Sequence, residues 1–96
     1  MHVISEKRLR EFWEQHPDAE EPLRAWHRTV EHVTWEKFAD VRALYPSADQ
    51  VGKFTVFNIG GNKYRLVAVI HYDYPRVFVR HVLTHAEYDR GEWKND

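Results

Sequence analysis

Up to about residue 45 the apolar residues recur at three and four positions apart, and beyond residue 52 they alternate or run together. The first half therefore predicts helices and the second half strands. Ser5 stands as N-cap to a first helix carrying Leu9, Phe12, Trp13 and His16 at helical spacing, and Pro17 stops it. A second helix starts between Asp18 and Pro22, since Asp18-Ala19-Glu20-Glu21 has capping-box form while Pro22 suits the first helical position. Leu23, Trp26, Val30 and Val33 form its apolar stripe. A third, short helix is predicted from Trp35 or Glu36 to Leu44, with Thr34 as cap, Phe38, Val41 and Leu44 inward, and Pro46 as terminator.

After Ser47-Ala48-Asp49 three runs rich in β-branched and aromatic residues follow: Lys53 to Ile59, Lys63 to Tyr72 and Arg76 to Leu83. Gly60-Gly61 supplies one tight turn and Asp73-Tyr74-Pro75 the centre of another, so the runs form an antiparallel meander. Thr84-His85-Ala86-Glu87 then opens one helical turn as a capping box, and the tail from Arg90 to Asp96 is expected to fray, with Trp93 its anchor. The fold class is α+β: N-terminal helices on a small antiparallel sheet, closed by a short C-terminal helical turn.

The turn around Asp73 decides which residues share a face. An odd loop pairs Ala68 with Arg80 and drives a guanidinium into an apolar surface, at a cost of several kcal/mol if it is buried unpaired. An even loop avoids this. It joins Tyr64, Leu66, Ala68 and Ile70 to Val77, Val79, His81 and Leu83 under the helices, and leaves Lys63, Arg65, His71, Arg80, Phe78 and Val82 on the opposite face.

Length and charge then narrow the chemistry. With 96 residues and no Cys, the chain (residues 1–96) is expected to be one domain held by packing alone, in a reducing cytoplasm, and no apolar run approaches a membrane span. The net charge of −1 hides an asymmetry: Lys53 to His85 holds five bases (Lys53, Lys63, Arg65, Arg76, Arg80) against Asp73 alone. His71, His81 and His85 lie in the same stretch. Such a surface can bind phosphate, and cations beside a scissile phosphodiester stabilise its pentacoordinate transition state without a metal. Arg65 and Arg80 suit that role through their planar forks, Lys63 adds a mobile charge, and His85 and Tyr88 can handle protons. The plainer alternatives are salt bridges from the two arginines to Glu87 or Asp89, and a surface histidine beside a cap. No metal or cofactor is expected: the seven histidines are scattered, His27 and His32 are five apart on a helix, and no P-loop or GxSxG occurs.

The segments Val56-Phe57-Asn58-Ile59-Gly60-Gly61-Asn62-Lys63-Tyr64-Arg65-Leu66 and Thr84-His85-Ala86-Glu87-Tyr88-Asp89 resemble the two signature segments of the HigB toxin family. The likeness extends to Ile4-Ser5, Trp13-Glu14-Gln15-His16-Pro17, Leu23-Arg24-Ala25-Trp26 and Ala39-Asp40-Val41, with Leu83 standing where the family more often has Gly. The resemblance implies a RelE-like fold and a metal-independent endoribonuclease that cleaves mRNA, commonly on the translating ribosome, through attack of the 2′-hydroxyl on the adjacent phosphate. It also implies a HigA-type helix-turn-helix antitoxin as partner. Carried onto this chain, Lys63, Arg65, Arg80, His85 and Tyr88 are the catalytic candidates, and Lys53, Asn62, His71 and Arg76 are expected to contact RNA. The competing readings are a non-catalytic RNA- or ribosome-binding module and a gyrase inhibitor of the related ParE branch.

Overall fold

The computed structural model describes residues 1–95. Its elements run β1 (His2–Ile4), α1 (Glu6–Gln15), a 3-10 turn (Pro17–Ala19), α2 (Glu20–Glu31), α3 (Phe38–Leu44), β2 (Asp49–Val51), β3 (Phe54–Ile59), β4 (Tyr64–His71), β5 (Arg76–Thr84), α4 (His85–Arg90) and a 3-10 turn (Glu92–Asn95). The α+β class stands, and the sheet has five strands in the order β1-β5-β4-β3-β2. The three anticipated runs form its antiparallel centre. The two added edge strands span three residues each, too short for alternation to register, and β1 lies parallel to β5. What fixes β1 is tertiary: the Val3 amide donates to Glu31 Oε2 at 2.7 Å, and the Met1 nitrogen donates to the Val30 and Val33 carbonyls at the end of α2.

Several helix starts differ from the sequence expectation, each because a side chain is used elsewhere. Ser5 takes a left-handed conformation (φ 75°) with no side-chain cap, since the chain must turn sharply out of β1. Asp18 opens no capping box; its carboxylate accepts from Lys63 and Tyr64, and a 3-10 turn fills the gap before α2. Trp35 is buried in the core and stacks on Phe57, which needs an extended connector, so α3 begins at Phe38 after Lys37 rather than after Thr34. Asp40 Oδ2 receives the Glu36 amide at 2.9 Å there. Leu44, expected inward, is 43% exposed.

The helices cover one face of the sheet. Leu9, Leu23, Trp26, Val30, Trp35 and Val41 pack on Phe57, Leu66, Ala68, Val77 and Val79, with the Phe57 ring against Trp26, Trp35 and Tyr45. The β4–β5 loop holds four residues, Tyr72 to Pro75, so Ile70 pairs with Val77 and Ala68 with Val79, as the even loop requires. A β-bulge then intervenes. The register shifts between Val67 and Ala68, and one extra residue on β5 exchanges the two faces beyond it. Arg80 falls at the shift itself, while Val82 turns to the helix-covered core and Leu83 to the other face, the reverse of expectation; His81, placed under the helices by alternation, pairs opposite Val67.

That other face is not open. Phe54, Val56, Val67 and Trp93 form a second buried cluster, joined by Val51, Val69, Leu83 and Tyr88, and β4 is buried on both sides from Tyr64 to Ala68. The tail is therefore ordered through Asn95: Gly91 (φ 77°) ends α4 in the left-handed region, and the 3-10 turn lays Trp93 on Phe54 and Tyr88. Trp93→Ala should cost about 3–5 kcal/mol of stability in urea denaturation, the scale of a buried large-to-small change. A loss below about 0.5 kcal/mol would place Trp93 on a frayed tail instead.

Candidate active site

Three junctions meet at one end of the sheet: the β3–β4 turn, the step from β5 into α4, and the 3-10 turn after α1. Tyr64 pairs with Thr84 across β4 and β5, which brings the first two together. Gly60 (φ 64°) and Gly61 (φ 70°) adopt conformations that suit only glycine well, and they allow the tight return into β4. Thr84 caps α4 in a full capping box: its hydroxyl accepts the Glu87 amide, and Glu87 Oε1 accepts the Thr84 amide at 2.8 Å.

Arg65 is 9% exposed, and its charge is met on one side by the turn. Nη1 donates to the Asn62 and Tyr64 carbonyls at 3.1 and 3.2 Å, and Nη2 to Asn62 Oδ1 at 2.8 Å. Its guanidinium carbon lies 5.5 Å from the centre of the Tyr88 ring, which also stacks on Trp93 at 5.1 Å. Burial pushes the Tyr88 phenol up, with Asp49 adding to the rise and Arg65 opposing it. The protonated form of Tyr88 is thereby favoured. One turn earlier on α4, His85 is exposed and its Nδ1 lies 3.0 Å from Asp89 Oδ2. A carboxylate on Nδ1 leaves Nε2 for chemistry. The sequence reading offers Asp89 only as a partner for the arginines; its i,i+4 spacing from His85 on α4 is the signal that points to the imidazole. Glu87, the other acid weighed for them, is engaged by Thr84.

Lys63 does not join Arg65. It pairs with Asp18 on the helix side, and Tyr64 donates to the other oxygen of the same carboxylate at 2.5 Å. The hydrogen bond to Asp18 raises both the Lys63 ammonium and the Tyr64 phenol, and it holds the Asp18 carboxyl below the usual range. Lys63 can neutralise charge; as a base it is disfavoured. The cationic residues do not form one surface either. Arg80 stands at the bulge, beside Val69, His71 and Phe78. His71, Arg76 and Lys53 sit at the opposite end of the sheet, His71 about 20 Å along β4 from Arg65 at ~3.3 Å per residue. There His71 packs on Phe78 and Lys53 lies over Phe54. Of the four expected RNA contacts only Asn62 is at the Arg65 end, and its side-chain oxygen orients that arginine.

The arrangement is a buried, oriented cation beside a phenol and a carboxylate-backed imidazole, and comparison with known proteins places it. The family model described as HigB toxin, RelE-like toxic component of a toxin-antitoxin system, matches residues 19–91. The chain belongs to the HigB toxin family. It is 35% identical over 92 residues to the mRNA interferase toxin HigB of Escherichia coli strain K12, covering 93% of this chain and 88% of that protein. It is equally similar to mRNA interferase HigB of Shigella flexneri, and 30% identical to that of Escherichia coli O6:H1 over 94% of this chain and 90% of the relative. Both signature segments of the HigB toxins lie inside the matched span, whereas His16 and Asp18 precede it.

Glu87 gives the site a pH-dependent part. Its carboxyl is held below the ordinary value first by the Thr84 amide, so the ionised form is favoured in the folded chain. The stabilisation is complete above the ordinary carboxylate range and is lost as pH falls through the lowered folded value. An NMR titration of the Thr84 amide should show a midpoint below that of an unstructured glutamate, and Glu87→Gln should abolish the transition. An unshifted midpoint would mean the cap does not form.

Proposed function

We propose that this chain is an endoribonuclease toxin that cleaves mRNA without a metal, by attack of the ribose 2′-oxygen on the adjacent phosphorus, and that a HigA-type antitoxin silences it in the cytoplasm. The observation that carries this reading is the contact of Arg65 on β4 with Tyr88 on α4, the helix that also carries the His85–Asp89 pair. Arg65 stabilises the charge that grows on the phosphorane oxygens, with its fork held in place before the reaction. His85 Nε2 takes the 2′-hydroxyl proton while Asp89 holds Nδ1, and Tyr88 donates a hydrogen bond. The relatives' names, mRNA interferase, support the same substrate class, and the family description supports the antitoxin. The ribosome is the proposed place of action.

Transcript ends mapped after a short pulse of expression should fall inside coding regions, and the purified chain should cut ribosome-bound mRNA equally with and without EDTA. His85→Ala should slow cleavage about 100- to 10,000-fold, the range spanned by one acid–base group. Full activity in both His85→Ala and Arg65→Lys would move the chemistry elsewhere.

A further inference from the structure

Transesterification needs two proton movements, one off the 2′-hydroxyl and one onto the departing 5′-oxygen, and His85 accounts for the first. Two of the other candidates at this end of the sheet favour their protonated forms: Tyr88 through burial, Lys63 through Asp18. A second imidazole lies on the helix side of the same junction. His16, at the end of α1, lines a cleft of ≈ 330 Å³ together with Gln15, His81, Val82 and Glu87. Its ring is fixed by stacking on Phe12, with centroids 4.4 Å apart and planes at 24°, and by a tilted contact with Tyr64 at 5.5 Å. Among the described residues no hydrogen bond occupies its ring nitrogens, so the ring contacts set its direction.

The position relative to His85 follows from the register. Tyr64 pairs with Thr84, Thr84 precedes His85, and Glu87, two residues on, lines the cleft with His16. His16 thus lies across the cleft from Glu87 in the first turn of α4, the turn that His85 opens with Asp89 on its Nδ1.

We propose that His16 is a second catalytic residue, the general acid that protonates the 5′-oxygen as it leaves. This role rests on the endoribonuclease reading above. The 2′-hydroxyl proton passes to His85 Nε2, and the 2′-oxygen forms a bond to phosphorus. The P–O5′ bond breaks, and its electron pair takes the proton of the His16 imidazolium. The products are a 2′,3′-cyclic phosphate and a 5′-hydroxyl. An imidazole suits the task because it gives up a proton near neutral pH, which a raised phenol or ammonium does poorly.

The test compares two ribosome-bound mRNAs, one natural and one with sulfur in place of the bridging 5′-oxygen at the mapped cut, since a thiolate leaves without being protonated. His16→Gln, and His16→Phe, which keeps the stacking but carries no proton, should each cut the natural RNA about 100-fold more slowly or worse. Both should cut the sulfur RNA within about tenfold of wild type, and both should lose the high-pH limb of the pH–rate profile while the low-pH limb persists. Equal losses on both RNAs would make His16 structural, and wild-type rates on natural RNA would give it no role; either result overturns the proposal alone. A wild-type chain that cuts neither RNA would overturn the endoribonuclease reading and this role with it.

Discussion

The capture of the Arg65 guanidinium is the interaction on which the rest of this end of the molecule depends. From Tyr64 to Ala68 β4 is buried on both faces, by the helices on one and by the Trp93 cluster on the other, so a charge at its second residue has little water to rely on. The Asn62 carbonyl and side chain in the Gly60–Lys63 turn, with the Tyr64 carbonyl, accept from the guanidinium, and the Tyr88 face covers it. Satisfying the charge thereby joins turn, strand and C-terminal helix. The same contacts hold the fork rigid, and rigidity is what electrostatic stabilisation of a transition state requires.

Around that cation the acids are divided among separate tasks. Glu87 closes the cap of α4, Asp89 holds His85, and Asp18 binds Lys63 and Tyr64. Among the described residues none of these three carboxylates bonds Arg65, so the guanidinium has carbonyl and amide partners that leave its net charge intact. The salt bridges weighed as the plainer alternative would have neutralised it. A HigB toxin that acts on a polyanion keeps its cation effective by this division.

The β-bulge in β5 shapes the same end of the molecule. Without it, alternation would carry Leu83 under the helices; with it, Leu83 closes the second cluster and Val82 joins the first. Thr84 then meets Tyr64 at the sheet end, and α4 leaves toward the Arg65 side. One inserted residue converts a plain meander into a strand that delivers a helix, and with it His85 and Tyr88, to the mouth of the β3–β4 turn.

Much was already determined by the sequence, because the features concerned are local. The 3.6 and 2 periodicities of Leu23-Trp26-Val30 and of the three central strands, the Gly60-Gly61 turn and the Thr84-Glu87 capping box need only neighbouring residues to form. The even β4–β5 loop was legible as well, since its alternative buries Arg80 among apolar residues. What tertiary structure decided depends on partners distant in the chain. β1 is a strand because Glu31 and the end of α2 bind it, and Trp35 leaves its expected helix to reach Phe57. The bulge carries no composition signal, and Lys63 turns from Arg65 because Asp18, 45 positions away, accepts its charge. Periodicity reports which side of an element is apolar; it cannot report where an element far along the chain will bring its carboxylate, and here that placement sorted the basic residues into different sites.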